Sequence, residues 1–257
     1  DGCPVSLGLN FAIYSDYIFR FVNLSEYPGE GREKPNYQLT VDIGYDLGDY
    51  GDLAFTGWFE WYAGQKKLNG EGANIQEIDY TIDWTFALTE IIDMSVGYIF
   101  YTYPNNKAIN TMDVYVGAAM NDACLWEGLF PDNEEGVLNP SLTVYYDVDE
   151  ITGVWAELAF SHEFDVPGVE YLTVTPGYLL ALSGEYMAED STYLAGQQFG
   201  LVTTYDLGGA LQIPESYGDL SVSGELYFNN PFSQAARIDN VDDQLWGGVS
   251  FAWAWGG

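Results

Sequence analysis

Seven carboxylates, Asp42, Glu60, Asp79, Asp83, Asp113, Glu157 and Glu225, fall on the polar side of alternating segments, and Arg20 is the cation that stands with them. Carboxylates on the wall of a wet cavity attract cations and repel anions, and low-dielectric walls focus that field. Two readings follow. Either the set is a cation-selective filter, or it hydrates a polar lumen and gives a weak cation preference. Metal chemistry has little to draw on, because one His and two distant Cys do not make a metal site. No cofactor is expected.

Other residue groups suggest other chemistry. The acidic runs "DNEEG" (132–136), "DVDE" (147–150), "AED" (188–190) and "DNVDD" (239–243) offer oxygens of the kind Ca²⁺ takes, but none has the EF-hand spacing or a repeat. Solvated turns that resist aggregation are the plainer reading. His162 in "FSHEF" sits between Ser161 and Glu163, which invites comparison with an outer-membrane lipase family that uses Ser and His. Strand neighbours point to opposite faces, and no GxSxG motif is present, so an interfacial His and no enzyme is expected. "GQKKL" (64–68) reads as a loop, with lipid phosphate as an alternative partner.

These residues must be carried by strands. In "EIDYTIDWTFALTEIIDMSVGYIFYTY" (77–103), Ile78, Tyr80, Ile82, Trp84, Phe86 and Leu88 share one parity, while Glu77, Asp79, Thr81, Asp83 and Thr85 share the other. The same period predicts twelve strands, at 5–15, 37–47, 53–63, 77–88, 94–103, 111–120, 138–148, 154–164, 171–183, 193–205, 219–228 and 245–255. Most are near the 9–11 residues or so of a strand that crosses a bilayer at a tilt, roughly twice the usual soluble length. No Asp, Glu, Lys or Arg falls on the apolar parity, where a charge facing lipid would cost about 2–4 kcal/mol at the midplane. The other parity is small and polar, and Trp61, Tyr62, Tyr101, Tyr103, Trp253 and Trp255 gather at strand ends as interfacial girdles do.

Composition agrees. With 7 Lys and Arg against 39 Asp and Glu, for a net charge of -32, the chain lacks the clustered cations a nucleic-acid partner needs. The 47% hydrophobic and 17% aromatic content excludes disorder despite that charge. No run approaches the roughly 20 apolar residues of a transmembrane helix. The start, "DGCPVSLGLNF", carries no leader pattern, so an exported chain would have lost its signal peptide already. Parity places Cys3 and the 121–137 segment on one side of such a barrel, so a Cys3–Cys124 disulfide is the preferred reading, with unpaired or intermolecular thiols as the alternative. The 23–36 segment, with Arg32, Glu33 and Lys34, is the candidate for an inward-folding constriction.

One stretch carries a family resemblance. "YSDYIFRFVNLSE" (14–26), after the first strand, resembles the "SDYVFRG" opening of the TorF-like porins, and "NPSLTVYYDVDEITGVWAELAFSHEF" (139–164) resembles a hairpin of related bacterial outer-membrane proteins. The match covers about a fifth of the chain. It implies an outer-membrane barrel and a pore, with Asp16, Tyr17 and Arg20 as the positions carried over. Phe21 departs, standing where those proteins carry Gly.

The expectation is therefore one all-β domain over 1–257, an up-and-down antiparallel transmembrane barrel in the bacterial outer membrane, with the bilayer as partner. Its expected role is a narrow, acid-lined pore for small cations or neutral solutes. The alternative is a non-transporting structural barrel, as a homo-oligomer or as a subunit of an extracellular filament.

Overall fold

The computed structural model describes residues 3–25, 35–62, 75–104, 107–130, 134–187, 191–237 and 241–256. In chain order the elements are β1 (Val5–Tyr14), β2 (Ile18–Phe19), β3 (Val22–Asn23), β4 (Asn36–Asp46), β5 (Asp52–Tyr62), β6 (Ile75–Thr89), β7 (Ile92–Thr102), β8 (Thr111–Met120), α1 (Ala123–Trp126), β9 (Ser141–Asp147), β10 (Val154–Ser161), β11 (Phe164–Asp165), β12 (Leu172–Gly184), β13 (Thr192–Asp206), α2 (Leu207–Ala210), β14 (Asp219–Pro231) and β15 (Gln244–Gly256).

Each long strand pairs antiparallel with the next, β10 pairs with β12, and β15 returns to β1. The result is a closed up-and-down barrel of twelve strands, as the period-two pattern predicts. Closure leaves no unpaired edge, and a barrel and a helix are the two forms that satisfy every backbone group inside a bilayer.

The apolar parity faces outward. Leu9 is 43% exposed, Ile82 52%, Leu88 59% and Phe251 50%, and the same holds on every side of the barrel. A soluble monomer rarely exposes apolar patches beyond a few hundred Å². This continuous belt faces lipid, as in outer-membrane barrels. At its rim the Trp253 and Trp255 indoles donate to the carbonyls of Tyr217 and Ser216, holding the C-terminal girdle.

Three departures from the sequence pattern have local causes. β9 begins at Ser141 rather than 138, because Asn139 has φ 44° and Pro140 has no amide to give a ladder. β6 and β13 each carry a bulge, where Glu60–Glu77 is followed by Trp61–Ile75 and Ala181–Gly196 by Leu182–Leu194. The second bulge turns Ala195 inward to full burial. The third concerns the girdle: Tyr101 is 4% exposed and points into the barrel, where its hydroxyl donates to Asp113.

The expected Cys3–Cys124 disulfide is not formed; both thiols are free and exposed. Cys3 precedes β1 and Cys124 lies in α1, between β8 and β9. Five or six strands separate those walls in either direction, so the cysteines share an end of the barrel but sit on opposite sides. A disulfide needs Cα atoms within about 7 Å.

Candidate functional site

The lumen is crossed by the chain itself. After Tyr14, residues 15–25 leave the wall at the end opposite the termini and fold inward as the β2–β3 hairpin, a separate two-stranded sheet. Its base is tied locally: the Tyr17 amide donates to Ser25 Oγ, the Leu24 amide to the Tyr17 carbonyl, and Asn23 Nδ2 to Asp16 Oδ1. Asp16, Tyr17, Phe21, Asn23 and Ser25 are all buried. The inward-folding constriction is therefore this hairpin; Arg32, Glu33 and Lys34 lie outside the described residues, as does 64–68.

The hairpin tip has an unusual turn. Ile18 pairs with Asn23 and Phe19 with Val22, leaving Arg20 and Phe21 as a two-residue connection with φ of 49° and 69°. Such turns normally carry Asn and Gly, since both central residues are left-handed. The second turn position has a geometry that asks for Gly, and here Phe21 holds it by packing. Its ring lies in a buried cluster with Trp155, Ala181, Ala195, Ala235 and Val241.

Arg20 reaches the far wall. Its Nη2 lies 2.6 Å from Asp113 Oδ2, and the side chains are 6% and 0% exposed. The guanidinium carbon sits 4.2 Å from the Tyr186 ring centroid, 4.9 Å from Tyr145, 4.9 Å from Phe19 and 5.7 Å from Trp155. Nearer β1, the Tyr17 ring packs tilted against Trp58, centroids 5.3 Å apart, and its hydroxyl donates to Glu77 Oε2 at 3.0 Å.

The seven carboxylates lie on β4, β5, β6, β8, β10 and β14, on the parity opposite the outward-facing apolar residues of those strands. Glu60 pairs in register with Glu77, and Asp79 is opposite Trp58, so three acids crowd one patch of β5 and β6. Glu60 accepts from Asn36 Nδ2, while Glu77 Oε1 and Asp79 Oδ1 are buried without a hydrogen-bond partner. Asp113 on β8 and Glu157 on β10 follow farther round the same run of wall, Glu157 accepting from the Trp155 indole at 2.7 Å. Asp42 accepts from Thr56, Asp83 from Thr85 and Tyr115, and Glu225 from Tyr14, Tyr227 and Ser250. Glu77 shares the inward parity and belongs with them, although it stands outside the set drawn from the sequence.

Below the hairpin is a cavity of about 380 Å³, bordered by Phe19, Arg20, Trp58, Asp79, Trp155 and Glu157, among others. That volume is within the range of small-molecule sites. A second cavity of about 230 Å³ lies between β10, β12, β13 and β14, with Ser161 on its wall. His162 packs edge-on against Phe164, its ring centroid 4.4 Å away, beyond the end of β10.

The acidic turn at 147–150 is closed by Asp147, which accepts from the amides of Asp149, Ile151 and Thr152 and from Thr111 Oγ1. Among the described residues no group of three or more His, Cys, Asp or Glu is arranged to hold a metal ion. At the terminal end, Asp122 is 1% exposed. Burial opposes its charge, but donation from the Trp126 indole and the Val137, Asn139 and Leu138 amides outweighs this and holds its carboxyl below the usual range.

No protein-family model matches the chain, and no curated protein does. Solved barrels do match. An outer-membrane channel from Pseudomonas putida F1 aligns over 98% of this chain and 96% of its own, with a TM-score of 0.54 at 10% identity. The KdgM porin aligns over 96% and 98%, with a TM-score of 0.49 at 8% identity. LpxR from Salmonella typhimurium aligns over 96% and 99%, with a TM-score of 0.48 at 11% identity. The likeness to the Pseudomonas putida protein is one of fold, that of an outer-membrane β-barrel.

Proposed function

We propose that the barrel is a passive outer-membrane channel whose narrow lumen favours small cations or neutral solutes. The observation that carries this reading is the one-signed wall. The wall strands contain no Lys or Arg, while Asp42, Glu60, Asp79, Asp83, Asp113, Glu157 and Glu225 project inward. Arg20, the cation the hairpin brings in, is matched by Asp113, so the remaining acids set the sign of the field. The hairpin would set the size limit.

A second reading draws on the same hairpin. Its burial fits a plugged barrel with a structural or surface-assembly role. Single-channel recording in a planar bilayer with a salt gradient separates the two. Discrete steps with a cation-shifted reversal potential support the channel. A barrel that inserts and never conducts retires it in favour of the structural reading, with polymers of purified protein as its sign.

A further inference from the structure

The wall beneath the hairpin tip is shaped around a guanidinium. Asp113, from β8, offers a fully buried carboxylate; Tyr145 from β9, Trp155 from β10 and Tyr186 after β12 offer aromatic rings 4.2–5.7 Å from the Arg20 guanidinium carbon. Rings at that distance attract a planar cation, and more strongly once water is excluded. Asp113, Tyr145 and Trp155 belong to strands of the barrel wall, and Tyr186 to the connection that leaves β12. Arg20 belongs to a separate sheet that shares no backbone ladder with the wall. The arrangement is that of a receptor and a tethered occupant.

The occupant fits imperfectly. Arg20 meets Asp113 through one nitrogen and one oxygen, and both Arg20 Nη1 and Asp113 Oδ1 are buried with no hydrogen-bond partner. A guanidinium facing a carboxylate can make two parallel bonds, and an orphaned buried donor or acceptor is costly. The tether explains the shortfall: Arg20 is the first residue of a two-residue turn, so its approach angle is set by the hairpin. An untethered guanidinium would be free to use both oxygens. The cavity of about 380 Å³ borders Arg20, Tyr145 and Trp155 and holds Asp79 and Glu157 on its wall, so it gives room and matching charge for the rest of a cationic solute.

From this geometry we infer that the recess of Asp113, Tyr145, Trp155 and Tyr186 is a recognition site for a guanidinium-bearing organic cation, and that Arg20 occupies it as a built-in competitor. The inference deepens the channel reading, on which it rests for a route by which solute arrives. The planar fork and stacking rings favour guanidinium over ammonium, which is a compact, strongly hydrated point charge.

The test is equilibrium binding in detergent, with agmatine as probe and cadaverine as the ammonium control at equal ionic strength. Wild type should bind agmatine weakly, because the tethered Arg20 acts at an effective concentration in the millimolar range or so. Arg20→Ala should bind it at least about tenfold more tightly, and adding Asp113→Asn should remove the gain. Cadaverine should show neither change. Equal affinity in wild type and Arg20→Ala, or equal gains for both probes, would overturn the site. Arg20→Gln, which keeps length and hydrogen bonding without charge, serves if Arg20→Ala does not fold. If neither variant gives a folded barrel, Arg20 is a structural pillar and the competitor role is lost. Binding without conduction keeps the recess and removes the channel; conduction without agmatine binding to Arg20→Ala does the reverse.

Discussion

The rings of Phe21 and Trp155 pack 6.1 Å apart across the lumen, while the Phe21 backbone holds φ at 69°. A left-handed conformation costs a non-Gly residue about 1–2 kcal/mol, so the packing must exceed that cost for the turn to persist. Phe21→Ala keeps the unfavourable backbone and loses the ring, an expected loss of about 3–5 kcal/mol. Phe21→Gly loses the same ring but relieves the turn, so it should retain about 1 kcal/mol more than Phe21→Ala. Amide hydrogen exchange across residues 17–24 in detergent would rank the three. A Gly variant less protected than the Ala variant would show that the turn carries no strain.

That turn also shows where the sequence stops being legible. Alternation along 77–103 and its counterparts predicts all twelve wall strands and their two faces, because lipid and lumen act on every second residue. "YIFRFVN" gives no such guidance: the turn residues are Arg20 and Phe21, which carry no turn propensity, and their partners lie some ninety residues or more away at Asp113 and Trp155. One signal was present. Trp155 is a large aromatic on the otherwise small, polar parity of its strand, and such a residue needs something to cover it. Tyr101 was misplaced for a related reason, since a Tyr at a strand end reads alike whether it anchors at the interface or covers an interior plug. The Cys pairing failed because parity gives the end of the barrel and says nothing of the side.

Tyr115 depends on the absence of a side chain at Gly97. The two are paired in register, and the Tyr115 hydroxyl passes over Gly97 to donate to Asp83. A Cβ at Gly97 would lie 2.3 Å from Tyr115 Cζ. Gly97→Ala should therefore force the ring away and lower stability by about 1–3 kcal/mol, as overpacking does. Adding Tyr115→Ser, which removes the ring, should make Gly97→Ala nearly neutral. A double-mutant cycle on thermal unfolding in micelles reads this out, and additive losses would sink the explanation.

Asp79 and Asp83 should matter to ion preference in a way that surface acids do not. Both face the lumen, and Asp79 borders the larger cavity. Asp49 sits in the exposed turn at 48–50, where salt screens it beyond about 8–10 Å. Asp79→Asn with Asp83→Asn should shrink the cation-directed reversal shift under a salt gradient, whereas Asp49→Asn should leave it unchanged. An equal effect from both would place the selectivity at the mouth of the barrel.

Asp122 gives stability a pH dependence that can be signed. Its side chain accepts from Trp126 Nε1 at 2.7 Å and from the Val137, Leu138 and Asn139 amides, so it fastens the segment between β8 and β9. These donors favour the charged form, so the folded carboxyl titrates below its unfolded value of about 4. A group depressed on folding contributes fully above its unfolded pKa, and that contribution is lost as pH falls through the folded one. Asp122→Asn should thus destabilise the barrel at pH 7, with the gap to wild type narrowing on acidification from about pH 4 downward. Thermal unfolding of both proteins between neutral and acid pH is the measurement. A gap of constant size would mean that an amide oxygen serves those four donors as well as a carboxylate does, and that the charge contributes nothing to holding this loop.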